Sequence, residues 1–276
     1  MQMQMLHIFR NTPLGRETLL QSSYFCGKLD ILPVIYVPKF VKFLMYFEND
    51  VVQVDLDSSY LRDPDTTEKH VTEIVKEMGL EDPRFLEPKH FTASTLPDIP
   101  VNFDFMCCPR SITDLSTKIG LGYIGPRVRR IVQSARFPVL IPSFVYKPWK
   151  SLAVMFGGSA NALRALRLGI KLSRISGLPL DVFTQEGKHK RKDYEQIIQD
   201  EGLAPEIDKY VRKWRIFEKE PFKVNLYEIP HNALIIIGAY GHGLVKELLF
   251  GNTMEIVQSV CPNSMLIVGP NYRGSI

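Results

Sequence analysis

The chain reads as one strand–helix–strand unit written twice. Residues 6–37, LHIFRNTPLGRETLLQSSYFCGKLDILPVIYV, pass from an apolar strand through a turn and an amphipathic helix to a second strand. Residues 152–184, LAVMFGGSANALRALRLGIKLSRISGLPLDVFT, do the same at nearly the same length. In the second copy Leu163, Leu166, Ile170 and Ile175 recur at helical spacing. Ser159 stands where an N-cap is wanted, and Gly177 where the helix should stop. The ends of the halves match as well. IVQS occurs at 131–134 and again at 256–259, after Gly125 and Gly251 respectively, with spacings that differ by one residue. Each copy precedes a short apolar strand, Pro138–Ile141 or Met265–Val268. A repeated tetrapeptide alone is weak, but the matched order of elements makes duplication the better explanation.

The middle of each half fits the same plan. In the first, Glu68–Met78 reads as a helix, His90–Ala93 as a strand and Val101–Cys107 as a buried strand. In the second, Tyr194–Asp200 reads as part of a helix and Arg215–Glu218 as a strand. Ala233–Ile237 is a continuous apolar run closed by Gly238, which suits a central strand of a parallel sheet. Alternating strands and helices imply an α/β fold of two tandem doubly wound parallel-sheet domains. Their boundary is expected in the proline-bearing stretch 142–150, which gives domains 1–143 and 144–276. The final strands of the two halves are expected to pair, so that the chain forms an intrachain pseudo-dimer; a homodimer is left open.

Residues 40–57 have no counterpart in the second half. Val41, Phe43, Met45 and Phe47 alternate, and the alternation resumes at Val52, Val54 and Leu56 around Glu48-Asn49-Asp50. This is a β-hairpin pattern, and its apolar face should be covered by the first domain or by another chain.

Composition narrows the class. The 276 residues are 45% hydrophobic and 23% charged, enough for one large core or two ordinary ones. The formal charge of +4 does not demand a nucleic-acid or membrane partner, and neither is expected. No apolar run is long enough for a membrane span, and MQMQMLHIFR lacks the features of a secretory leader. Cys26, Cys107, Cys108 and Cys261 form no C-x-x-C pair, and no histidine pair has metal-ligand spacing. Buried, reduced thiols in a cytoplasmic protein, with no metal site, is the expectation.

The chemistry-bearing segment follows the run at 233–237. Gly238-Ala239-Tyr240-Gly241 and, nine residues after Gly241, Gly251-Asn252-Thr253 give the spacing G-x2-G-x9-G. Glycine lets a ligand approach the main chain, and the apolar pattern from Met254 onward puts Asn252 and Thr253 at a helix start that favours an anion. The position past the carboxyl end of a parallel strand is where open α/β sheets bind ligands.

This stretch resembles the universal stress protein family, UspA-like, in its nucleotide-binding branch. That branch carries G-x2-G-x9-G-[ST] in an adenine-nucleotide-binding α/β fold. Gly238, Gly241 and Gly251 match; Asn252 replaces the usual hydroxyl residue and Thr253 offers one a place later. Met265–Val268 resembles the family's dimerisation strand. The resemblance covers the second half and, more faintly, the first. It implies ATP or AMP as ligand, with magnesium left open, bound by Gly238, Ala239, Tyr240, Gly241, Gly251, Asn252 and Thr253. Two departures oppose this. Gly157 stands where the family often has an aspartate near the adenine, and in the first half Cys108-Pro109-Arg110-Ser111 occupies the place of the first glycines. The first domain is therefore expected to be ligand-free.

Other motifs carry less. Gly120-Leu-Gly122-Tyr-Ile-Gly125 is a literal G-x-G-x-x-G without a strand directly before it, and reads as a decayed loop. Lys188–Lys192 and the arginines at 127, 129 and 130 read as solvated faces, with attraction of phosphates or an acidic partner as the alternative for the first run. His242 and Lys246 have no evident catalytic partner, so no catalytic residues are assigned and any ATP hydrolysis is expected to be slow. The resulting expectation is a stress-response regulatory protein that binds adenine nucleotide in its C-terminal domain. The alternative is a nucleotide-free pseudo-dimeric scaffold. The protein partner is not readable.

Overall fold

The computed structural model describes residues 2–61, 63–88, 95–112, 124–187, 189–218, 220–239, 256–257 and 260–274. They form two compact units that divide between Pro148 and Trp149, where the sequence reading sets 143/144. The first unit runs β1 (Gln4–Ile8), α1 (Pro13–Leu29), β2 (Leu32–Tyr36), β3 (Lys42–Phe47), β4 (Asp50–Asp55), α2 (Pro64–Glu77), β5 (Arg84–Phe85), β6 (Asp98–Ile99), β7 (Phe105–Cys107), α3 (Pro126–Ser134) and β8 (Val139–Ile141). The second runs β9 (Ser151–Met155), α4 (Ala160–Ser176), β10 (Leu180–Gln185), α5 (Arg191–Asp200), α6 (Ala204–Tyr210), β11 (Val211–Phe217), α7 (Phe222–Asn225), β12 (Ala233–Gly238) and β13 (Met265–Val268).

The duplication is visible in the topology. The first unit's main sheet has the order β5-β2-β1-β7-β8, and the second unit's has β11-β10-β9-β12-β13. Every described pairing within these two sets is parallel. In each, the first strand is central; the chain winds outward on one side, then returns to the other. That is the doubly wound α/β fold. Helices α1 and α4 both have 17 residues. Thr12 Oγ1 accepts from Gly15 N and Ser159 Oγ from Ala162 N, so each helix starts on a hydroxyl cap. Each stops at a left-handed residue, Asp30 at φ 53° and Gly177 at φ 69°. Leu163, Leu166 and Ile170 are buried as the helical spacing predicts, whereas Ile175, near the helix end, is 40% exposed.

Several elements differ from the sequence reading. β7 covers only the last part of the run 101–107. Asp104 exchanges bonds with Gln4 through its carboxylate as well as its backbone, so that stretch leaves the regular ladder. β11 starts at Val211 rather than Arg215, with a register shift in its pairing to β10 and Arg212 forking onto the buried Asp181 carboxylate. The short helices α6 and α7 are additional. The strand expected at His90–Ala93 and most of the motif at 120–125 lie outside the described residues. No described helix is long and apolar enough to cross a membrane.

The hairpin at 40–57 is present. β3 and β4 pair antiparallel with Phe47 opposite Asp50, and β6 joins β3 to give a three-stranded sheet β4-β3-β6. Phe43 and Met45 are fully buried and Phe47 is nearly so; Val54 and Val52 are buried opposite Phe43 and Met45, and Leu56 is buried just past β4. Alternation along β2 shows what they cover. Ile35 packs with Leu19 and Leu20 of α1 and Val71 and Ile74 of α2, and the next residue, Tyr36, meets Phe43 edge-on with centroids 5.6 Å apart. Helices therefore cover one face of the first sheet and the hairpin the other.

Of the three arginines expected on a solvated face, Arg127 and Arg130 instead hold this hairpin, whereas Arg129 donates to Ile124 O. Arg127 donates to Asp55 Oδ2 at 2.7 Å and to Gln53 O at 2.8 Å. Arg130 forks onto Asp50, also reaching Val51 O, and Ser134 Oγ donates to Asp50 at 2.7 Å. Arg136 pairs with Glu48. The Arg130 bond holds the Asp50 carboxyl at about 2, with Ser134 acting in the same direction. These contacts span 72 to 88 residues of sequence, as the gap from Asp55 to Arg127 and that from Glu48 to Arg136 show, so no local pattern announced them.

Under α1, His7 of β1 is 2% exposed, with Nδ1 2.8 Å from Ser22 Oγ and no partner for Nε2 among the described residues. Burial lowers its pKa to about 3. Because the folded pKa lies below the unfolded value of 6.5, His7 imposes no penalty above pH 6.5. Stability is lost as pH falls through the window between 6.5 and 3, at about 1.4 kcal/mol per pH unit. Urea unfolding of the wild type should therefore show a loss of about 2 kcal/mol between pH 6.5 and 5 that His7→Gln lacks. Identical pH dependence in the two proteins would refute this role. Cys26, Cys107 and Cys108 lie in the same interior, and burial pushes their thiols up, which keeps them protonated.

Candidate functional site

In the second unit the strand order reverses between β9 and β12, which lie side by side with Met155 opposite Ile237. This is the place where a doubly wound sheet opens a crevice at its carboxyl edge. Two segments leave there. Phe156–Ser159 leads from β9 into α4, and Gly238-Ala239 leads out of β12.

Gly238 is required by packing. A Cβ on it would lie 2.4 Å from the Asn161 carbonyl carbon and oxygen, and 2.6 Å from Ala162 N. The end of β12 therefore touches the first turn of α4, main chain to main chain. Asn161, 3% exposed, seals the contact by donating its side-chain amide to Ala239 O. Arg164 Nη1 holds Asn161 Oδ1 at 2.7 Å and Pro270 O, just past β13, at 2.8 Å. Asn161 and Arg164 were not singled out by sequence. Both lie in the first two turns of α4, where nothing local distinguishes them.

Of the expected nucleotide-binding residues, Gly238 and Ala239 are thus brought to the crevice. The Ala239 N–H donates to Val268 O at 2.8 Å, and its carbonyl is taken by Asn161. Its main chain is therefore fully engaged within the fold. Tyr240, Gly241, Gly251, Asn252 and Thr253 lie outside the described residues.

Among the described residues directly past β9 and β10 there is no open carboxylate. Gly157 holds the place expected for an acid. Glu186, past β10, has a side chain only 6% exposed; it accepts from Arg191 N at 2.7 Å and Lys190 Nζ at 3.2 Å, and so serves the start of α5. Two cations of the basic run are paired locally. Lys190 pairs with Glu186, Arg191 with Glu195 at 3.0 Å, and His189 lies 3.6 Å from Asp193. Lys188 lies outside the described residues. Gln185, ending β10, is held on both sides: its amide donates to Phe217 O and Glu186 O, and its oxygen accepts from Asn225 at 2.6 Å. Phe156, with Tyr194 and Trp214 edge-on at 6.1 and 6.0 Å, forms a rigid aromatic floor below these ends.

The first unit repeats this register without glycine. Cys107 pairs with Leu140 and Cys108 N donates to Leu140 O at 2.9 Å, as Gly238 pairs with Val268 and Ala239 N donates to Val268 O.

No family model matches the sequence. A curated universal stress protein, Slr1230 of Synechocystis sp. (strain ATCC 27184 / PCC 6803 / Kazusa), is 22% identical over 193 residues. The match takes in 65% of this chain and 62% of that protein, so the chain spans less than two thirds of its relative's length. Among solved structures, a universal stress protein from Archaeoglobus fulgidus DSM 4304 matches with a TM-score of 0.60 at 18% identity, over 99% of this chain and 97% of its own. A functionally unknown protein, PA1789 of Pseudomonas aeruginosa PAO1, matches with a TM-score of 0.56 at 11% identity, over 97% and 92%. The resemblance read from the glycine spacing holds at the level of the whole fold, which is that of a universal stress protein.

Proposed function

We propose that this chain, which has the universal stress protein fold, is a stress-response regulatory protein that binds an adenine nucleotide, ATP or AMP, in its second unit. The observation that carries the reading is the delivery of Gly238 by β12 to the crevice beside β9, directly before the G-x2-G-x9-G spacing. The curated relative's name supports the stress-response part. The protein would act by changing its affinity for a partner when nucleotide binds, not by turnover. Four buried cysteines, none in a disulfide, suit a reducing cytoplasmic location.

A nucleotide-free scaffold is the second reading, and specific features favour it: glycine at 157, Glu186 engaged with α5, and the Ala239 N–H held in the sheet. A carboxylate-based adenine contact is missing at all of these points.

Gly241→Val separates the two. Isothermal titration of the wild type with ATP and AMP should give saturable heat. The variant should bind about tenfold more weakly or worse, because a side chain there blocks main-chain approach to phosphate. Its melting temperature should stay near the wild type's. No heat with either nucleotide in the wild type, and none released from purified protein in mass spectrometry, would leave the scaffold.

A further inference from the structure

β11 is the outermost strand of the second unit's sheet, with β10 on its inner side. The Glu186 N–H donates to Phe217 O at 2.9 Å, so the main chain of Phe217 faces β10. Main-chain groups alternate along a strand. Lys213 and Arg215 therefore face β10 as well, while the N–H and C=O groups of Trp214 and Ile216 point away from the sheet. Among the described residues no strand takes these four groups. On β4, by contrast, guanidinium groups occupy Gln53 O and Val51 O. The register shift of the β10–β11 pair lies at its start, and from Lys213 to Phe217 the ladder is regular. A regular, open rim of this kind is a template for strand addition.

The side chains decide what can add. Lys209, Arg212, Lys213 and Arg215 fall within seven residues that contain no acid, and all four are exposed. Lys213 and Arg215 lie on the sheet face of their register partners Asp181 and Phe183. Trp214 and Ile216, half-buried, lie on the opposite face with Val182 and Thr184. One face of the rim is thus basic and the other apolar. A second copy's β11 would set like charges side by side, which opposes self-pairing.

Nucleic acid fits less well, because the groups it would use are committed. Trp214 donates Nε1 to Thr184 Oγ1 at 2.9 Å and packs against Phe156, so its ring is no platform for a base. Arg212 Nε is held by Asp181 Oδ1 at 2.9 Å, and Arg215 is held by Glu228. What remains for a partner is the outer main chain of Trp214 and Ile216 and the exposed ammonium of Lys213, which complements a carboxylate.

We infer that β11 is a docking edge for an extended acidic peptide of another protein, which adds to the sheet as a further strand. Acidic residues would alternate with apolar ones, with the carboxylates on the Lys213 face and the apolar side chains beside Trp214 and Ile216. The inference does not rest on the nucleotide reading, and its test is made without nucleotide.

The full chain is titrated into fluorescein-labelled short peptides that alternate glutamate with valine, isoleucine or threonine. Fluorescence anisotropy should rise saturably, and should not do so with peptides that carry lysine in place of glutamate. Lys213→Glu should weaken binding about tenfold or more. Two backbone-methylated forms of the tightest peptide separate strand addition from plain charge attraction. Methyl groups on one alternate set of nitrogens should abolish binding, and those on the other set should leave it in place, because only one set faces β11. Equal affinity for the two forms would overturn the inference. So would the absence of saturable binding by every peptide, or an unchanged affinity in Lys213→Glu. A labelled oligothymidylate that binds more tightly than any peptide and is lost in Lys213→Glu would assign the edge to nucleic acid and overturn it as well.

Discussion

Phe43→Ala is expected to lower the unfolding free energy by about 3–5 kcal/mol, the range for emptying a buried aromatic site. Phe43 has no exposed surface, meets Tyr36 edge-on, and stands opposite Val54 in the hairpin. Three layers lose contact at once: the main sheet through Tyr36, the partner strand through Val54, and the hairpin's own inner face. Collapse into the vacancy is restrained, because Arg127 and Arg130 fix the hairpin's position from α3. Phe47, 8% exposed and near the turn, should cost less when truncated. Denaturant unfolding of both variants gives the comparison. A Phe43→Ala loss below about 1 kcal/mol, or a Phe47→Ala loss that exceeds it, would mean the hairpin is not packed as described.

Gly238→Ala should cost about 3 kcal/mol or more, although it adds a single methyl group. The atoms that the new Cβ would strike are backbone atoms of Asn161 and Ala162, 2.4–2.6 Å away, which no rotamer change can move. Either β12 or the first turn of α4 must shift, and the Asn161 bond to Ala239 O is stretched in the process. A buried carbonyl left without its donor adds its own penalty. Thermal unfolding should show the loss in Gly238→Ala and little change in Gly241→Val. Equal melting temperatures for Gly238→Ala and the wild type would show that β12 and α4 are not in main-chain contact. The pair of variants also divides the glycine motif by role, since one of its members holds the fold whatever the ligand.

Much of this architecture could be read from the chain alone, because it is written in local periodicity. The helix spacing of Leu163, Leu166 and Ile170, the caps Ser159 and Gly177, and the alternation of Phe43, Met45 and Phe47 each follow from contacts within a few residues. The basic β11 was read short because Val211–Arg215 lacks the apolar rhythm of an interior strand. Asn161 and Arg164 carry no local signal, and Arg127 and Arg130 read as solvated, for a different reason. Their partners lie 72 to 106 residues away, as the bonds from Arg127 to Asp55 and from Arg164 to Pro270 show. Only the folded topology brings them together. Gly238 reads in the sequence as a glycine for ligand approach; its packing need depends on α4 lying against β12, which no local pattern shows.

The arginine contacts to Gln53 O and Val51 O have a consequence for the life of the protein in a crowded solution. A sheet inserted into a domain brings an outer rim of carbonyl and amide groups, and another chain's strand can zip onto such a rim and seed polymerisation. β4 forms that rim in the three-stranded sheet. Guanidinium groups from α3 already occupy two of its carbonyls and would have to be stripped away before a foreign strand could bond there. The hairpin therefore enlarges the first unit without offering its neighbours a template.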